Sequence, residues 1–254
     1  LYLFNMEAEM DWFVRSYAIT HRDTTLSEIT SFRSGKYFTE GAGVYDIEGN
    51  FYKTVIIGGQ EWMAENLKSR TFCNGDTLLF ATHSGMFPNP WGWDDVEPAA
   101  TSWNFDSNND TLFGKYYTGQ VGNDDRNICP CGWRVPWVED LVVLLNQIGN
   151  NQYAGGKMKS LGVLENGTGL WKYPNALATN LSGLNILPAG ICWNSLSGFT
   201  YQHEQAQILM IDPNQLLNGY SREISFRTQS HRREVDLMNV NKSGLFVSIR
   251  CIRE

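Results

Sequence analysis

Gln60-Glu61-Trp62-Met63-Ala64-Glu65-Asn66-Leu67-Lys68 decides the reading of this chain, and Ile128-Cys129-Pro130-Cys131-Gly132-Trp133-Arg134-Val135-Pro136 is its distant companion. In the first stretch Trp62 and Leu67 flank a polar Glu65-Asn66 pair. Such a pair among large apolar neighbours more often satisfies buried loop backbone than performs chemistry. Just upstream, Tyr52 to Ile57 is a β-branched run suited to a strand, and Gly58-Gly59 turns it back. Downstream of the second stretch lies the best helix, Val138 to Ile148. Val138, Leu141, Val142, Leu145 and Ile148 share one apolar face, Glu139 and Asp140 suit the first turn, and Gly149 stops it.

Working outward, the 254 residues can bury a sizeable core in one or two domains. With 42% hydrophobic and only 19% charged residues, general disorder is not expected. Nine Trp, eleven Tyr and 24 Gly point to many turns and aromatic-rich surfaces. The net charge is -7 and no basic stripe is present, which argues against nucleic acid as a partner. No apolar run approaches the ~18 residues of a membrane-crossing helix, so no transmembrane segment is expected. Because the chain begins at Leu1 rather than Met, a processed or trimmed N-terminus is expected, and a removed signal peptide stays open.

Residues 1–42 read as a separate extension. Met6, Met10, Phe13 or Val14, and Tyr17 recur at helical spacing, yet Met6, Ala8, Met10, Trp12 and Val14 also alternate like a strand, and periodicity leaves both open. The segment is too apolar for a solvated tail, so it must pack on its own domain, on a neighbouring copy or on another protein. Gly41-Ala42-Gly43 is the expected hinge before a domain at 43–254. Residues 81–127 form a long, weakly patterned stretch of the kind that tends to be functional. Later, Leu184 to Leu187 and Phe199 to Tyr201 read as short strands, Ile208 to Ile211 as a buried one, and Gly244 to Ile252 as the terminal strand.

The two opening stretches do not stand alone. Asn74-Gly75-Asp76, Phe113-Gly114-Lys115-Tyr116-Tyr117, Ala154 to Lys159, Ser182 to Gly190 and Ser248 to Ile252 follow in a fixed order. That order resembles the Fibrobacter succinogenes major paralogous domain, a secreted module of Bacteroidetes and related bacteria, over about residues 43 to 254. The resemblance implies an α+β, C-type-lectin-like fold with short irregular strands, one or two helices and long loops. It also implies that Cys129 bonds Cys251, closing a loop of ~120 residues worth up to ~4–5 kcal/mol in the chain-entropy model. Five Cys is an odd number, and Cys73, Cys131 and Cys192 are left without a compelling partner. Cys129-Pro130-Cys131 is neither a redox CxxC nor a zinc knuckle.

Three sets of residues are candidates for function. Asn104, Asp106, Asn108 and Asp110 place oxygen donors at alternate positions, as calcium loops do, although an EF-hand would not have Thr111 and Tyr117 at its sixth and twelfth positions. The bland alternative is an Asn/Asp turn satisfying its own backbone. Trp91, Trp93, Trp103 and Trp193 are candidate stacking surfaces for sugar or protein, against a reading as loop core. Where family members carry a Trp-Trp-Ser-Ser strand this chain has Gln207 to Ile211, which puts a ligand surface on that strand in doubt. Thr24, Thr77 and Thr111 follow Asp in triplets that resemble the O-glycosylation motif of secreted Bacteroidetes proteins. Asn109, Asn166, Asn180 and Asn241 begin Asn-x-Ser/Thr triplets. His203-Glu204 lacks the second His of a zinc-protease helix, and no nucleophile elbow is present. The expected function is a non-catalytic extracellular or cell-surface module for adhesion or assembly, with protein or glycan as partner. The alternative is a carbohydrate-binding lectin domain using the Trp-rich loop, with or without calcium.

Overall fold

Both glycines of the Gly58-Gly59 turn take positive φ, 57° and 85°, as the tightest two-residue hairpin requires. They join Thr54–Ile57 to Gln60–Met63, and this hairpin is the centre of a five-stranded antiparallel sheet. The computed structural model describes residues 11–33, 36–83, 98–149, 151–193, 198–217, 220–240 and 245–254. The sheet runs in the order Trp133–Arg134, Ile252–Arg253, Gln60–Met63, Thr54–Ile57 and Thr39–Glu40. Ile252 therefore pairs with Trp62 on one side and Arg134 on the other, and the last strand joins the two stretches that open the sequence. The outer strand Thr39–Glu40 comes from before the Gly41–Gly43 turn.

The terminal strand expected over Gly244 to Ile252 is divided. Leu245–Val247 belongs to a six-stranded sheet, and only Ile252–Arg253 reaches the five-stranded one. Between them the backbone changes partners: Ser248 O accepts from Leu209 N, Ile249 O from Leu67 N and Cys251 O from Met63 N. One ladder cannot serve three neighbours, so the strand breaks where the chain crosses between sheets. Its last part lies beside the second strand of the hairpin.

Ile208 to Ile211 is the middle of a longer strand, Gln205–Leu217, in a three-stranded sheet with Tyr220–Gln229 and Asp236–Asn239. All four residues are buried because the strand has a core on each face. Ala206, Ile208 and Met210 enter one core with Trp62, Leu141, Leu144 and Trp171. Leu209 and Ile211 enter the other with Met63, Leu67, Cys129 and Cys251. Period two sorts adjacent residues to opposite faces, so a continuous apolar run is what a strand covered on both sides needs.

The helix forms as Val138–Ile148, but its buried face is Leu141, Leu144 and Ile148. Val142 is 52% exposed, a correction of the expected stripe. The helix lies against the second core at an angle that admits Leu144 instead. A second helix, Asn151–Met158, carries Gly155 and Gly156 in its interior. A Cβ at these glycines would meet Glu234 O and Leu177 O, each at 2.3 Å, so closeness of backbone fixes both residues.

The ambiguous N-terminal segment is β over its described part. Asp11–Val14 pairs with Thr30–Arg33, and Tyr17–Ile19 pairs with Thr24–Leu26, two separate two-stranded sheets that follow one another along a ribbon. No residue of Asp11–Val14, Tyr17–Ile19 or Thr24–Leu26 is buried. The whole is an α+β protein dominated by short strands.

Candidate functional site

The polar residues of the opening stretch are consumed by the fold. Asn66 is buried, its Nδ2 donating to Phe113 O at 2.8 Å and its Oδ1 accepting from Arg250 Nε at 2.8 Å. Arg250, also buried, donates from Nη1 to Leu184 O and from Nη2 to Asn185 O at 3.2 Å. Three motifs far apart in sequence thus share one guanidinium, whose pKa burial pulls down to about 9. Glu65 accepts from Lys53 N at 2.8 Å. The pair therefore satisfies loop backbone, as its setting suggests.

Cys129–Cys251 is present, with Cα atoms 5.9 Å apart, as the resemblance implies. A second disulfide joins Cys73 to Cys131 across 5.4 Å, giving two of the leftover cysteines a partner. The adjacent thiols of the Cys-Pro-Cys turn so bind different segments. Cys192 is free and buried, and burial pushes its thiol up to about 12.

Two of the oxygen donors of the Asn104–Asp110 loop have partners within the protein. Asp106 caps the next turn, its Oδ1 accepting from Asn108 N at 3.0 Å and from Asn108 Nδ2 at 2.8 Å. Asn104 is exposed in a left-handed conformation, φ 53°. Asp110 is buried against Lys115, whose ammonium bonds its Oδ2. A cation already neutralises the one buried carboxylate of the loop, which leaves the loop an Asx turn in form. Among the described residues no three His, Cys, Asp or Glu side chains are grouped to hold a metal ion.

The tryptophan set is dispersed as well. Trp91 and Trp93 lie outside the described residues. Trp103 is half-buried, its ring 4.7 Å from Phe199 and 5.9 Å from Tyr116. Trp193 packs on the core that holds Ile191, while the neighbouring Cys192 joins Trp103, Tyr116 and Phe199 on the other face of the six-stranded sheet. Trp103 and Trp193 are on opposite faces and cannot form one platform.

Thr24, Thr77 and Thr111 are all exposed, Thr24 beside the tip of the ribbon. His203 Nδ1 lies 2.7 Å from Leu170 O. Of the Asn-x-Ser/Thr positions, Asn241 lies outside the described residues. Two surface features remain, the first within the segment that the sequence marks as too apolar for a solvated tail. One is the ribbon's set of bare apolar side chains: Tyr17 and Ile19, 67% and 70% exposed, share one face of their strand, Leu26 stands opposite Tyr17, and Phe13 in the preceding strand is 71% exposed. The other is Trp137, an exposed tryptophan at the start of a helix, where its type offers no capping group. That mismatch with the local rule was the available signal.

Among the described residues no helix is long and apolar enough to cross a membrane. The family model for the Fibrobacter succinogenes major domain matches residues 55–253. No curated protein and no solved structure matches the chain.

Proposed function

The chain belongs to the Fibrobacter succinogenes major domain family, and on that premise we propose that it is a non-catalytic module of the extracellular space or cell surface, a subunit for adhesion and assembly. The observation that carries this reading is the ribbon. Two strands alone are marginal in water, and this pair exposes Phe13, Tyr17, Ile19, Leu26 and Ile29. Covering a large apolar side chain stabilises by roughly 1.5–3 kcal/mol, so a partner protein that buries this face gains what the free chain forgoes. Two disulfides suit an oxidising compartment outside the cytosol. Short strands in separate sheets, closed by a disulfide at the terminal strand, support a C-type-lectin-like arrangement.

Removal of residues 1–33 tests the reading by light scattering. The full chain should form a species larger than a monomer, and the truncated chain should be monomeric. An intact chain that stays monomeric at high concentration, alone and beside extracts of the producing cell's surface, would sink it. The rival, a lectin domain built on the Trp-rich loop with calcium, draws less support, because Trp103 is packed and Asp110 is engaged by Lys115.

A further inference from the structure

Of the five cysteines Cys131 alone is exposed, Cys73 is half-buried, and Cys129, Cys192 and Cys251 are buried. The Cys-Pro-Cys turn therefore holds two unlike bonds, one inside the core and one open to water. The outer bond, Cys73–Cys131, joins segments that keep their places without it. Phe72 and Leu78 anchor the first segment in the core, where Phe72 N donates to Asp76 O at 2.9 Å and Leu78 N to Arg70 O at 2.7 Å. Ile128, Cys129 and Trp133 anchor the second in the same core, and Asn127 Nδ2 donates to Trp133 O at 2.7 Å. Noncovalent ties also join the two. Cys73 N donates to Asn127 O at 2.7 Å, the Arg126 guanidinium lies 4.1 Å from the Phe72 ring centroid, and Arg126 pairs with Asp76 at 3.6 Å. Opening the bond thus leaves both cysteines on a folded chain, their Cα atoms held near the present 5.4 Å.

We propose that Cys73–Cys131 is a site of thiol–disulfide exchange, at which a thiolate from outside the chain attacks the Cys131 sulfur and is held there as a mixed disulfide. The incoming sulfur bonds Cys131 Sγ as the Cys131–Cys73 bond breaks, and Cys73 departs as the thiolate. One bond forms, one breaks and the negative charge passes from the incoming sulfur to Cys73, so no oxidant or reductant is consumed. Exposure selects Cys131 as the sulfur attacked, because the nucleophile needs a path to it. The chain's own free thiol does not begin the reaction. Cys192 is buried with Tyr116 and Phe199, and burial keeps it protonated, its pKa pushed up to about 12. Nor does exchange spread inward, since Cys129 and Cys251 are closed to solvent. The Cys73 thiolate stays close by at high effective concentration and restores the original bond when the guest is expelled. The guest is a thiol, carried by a small molecule or by a cysteine on a protein surface. Nothing in this chemistry requires the ribbon or an assembly of copies.

The test mixes the oxidised full chain with excess reduced glutathione at mildly alkaline pH and quenches it at short intervals with excess N-ethylmaleimide. Peptide mapping should find glutathione on Cys131 and maleimide on Cys73, with Cys129–Cys251 intact. Glutathione should reach Cys131 about tenfold or more faster than any other cysteine. The near-ultraviolet circular dichroism of the folded chain should persist throughout, and dialysis without the quench should restore Cys73–Cys131. A second arm replaces glutathione with a folded carrier protein that bears one surface cysteine. Capture of both guests shows that the site admits a protein partner, and capture of glutathione alone assigns it to small thiols. Glutathione spread evenly over the cysteines overturns the proposal, as does a Cys73–Cys131 bond that stays closed in excess glutathione. Adducts that form only after the native dichroism is lost also overturn it, because opening would then follow unfolding.

Discussion

Lys159 and Arg250 are cations placed inside the protein, and their hydrogen bonds go to neutral oxygens. Lys159 Nζ donates to Gln229 O at 3.0 Å and to Arg232 O at 2.8 Å, beside the Trp171 ring. Burial lowers its pKa from 10.5 to about 7. Between those values the unfolded chain holds a proton that the folded chain lacks, so stability should rise with pH through this window. One such group contributes a slope of at most about 1.4 kcal/mol per pH unit. Urea melts at pH 7 and pH 9 should show this rise, and Lys159→Met should flatten it. An identical rise in the variant would show that other groups carry it. Arg250→Met leaves the carbonyls of Leu184 and Asn185 without their donor and Asn66 half-bonded. It should cost about 3–5 kcal/mol, read as a shift in urea midpoint. A loss below 1 kcal/mol would mean that the joint of three motifs is dispensable.

At the scale of elements, helix Asn151–Met158 opposes two effects that can be weighed. Alanine is about 1 kcal/mol better than glycine inside a helix. At Gly155, however, a Cβ would lie 2.3 Å from Glu234 O and 2.6 Å from Thr228 Oγ1. Overpacking against backbone costs roughly 1–3 kcal/mol or more, so Gly155→Ala should destabilise on balance, seen as a lower melting temperature. The disulfides differ in access: Cys129 and Cys251 are buried, while Cys131 is exposed. A thiolate needs to reach sulfur, so mild reductant should open Cys73–Cys131 first, and peptide mapping of the alkylated intermediate should find Cys129–Cys251 intact. The reverse order would contradict the burial. The bonds span 58 and 122 residues, worth up to about 4 and 5 kcal/mol by chain entropy, so the inner one matters at least as much.

Over the whole molecule, the ribbon and the body are unequal partners. The body keeps its edge strand Thr39–Glu40 when residues 1–33 are removed, and no residue of Asp11–Val14, Tyr17–Ile19 or Thr24–Leu26 is buried. Its melting temperature should therefore change by only a few degrees on truncation, while the mass of the assembly falls. A large drop would place the ribbon in the body's own stability and weaken its part in assembly.

The sequence by itself determined the family, the α+β class, the Gly58-Gly59 hairpin, the helix after Pro136 and, through the resemblance, Cys129–Cys251. These rest on local spacing or on motifs that survive in order, and both are written along one chain. It also indicated that Glu65-Asn66 serves the backbone, since polar groups between Trp62 and Leu67 have nowhere else to turn. Tertiary structure decided the rest. It chose strand over helix for residues 11–19, because pairing partners across the chain outweigh an even local preference. It swapped Val142 for Leu144 in the core, because the docking angle of a helix is set by its neighbours. It separated Trp103 from Trp193, because alternate residues of a strand face opposite sides and only the sheet says which side is which. Exposure is likewise a property of what fails to cover a residue, and so Trp137 became visible only after everything around it was in place.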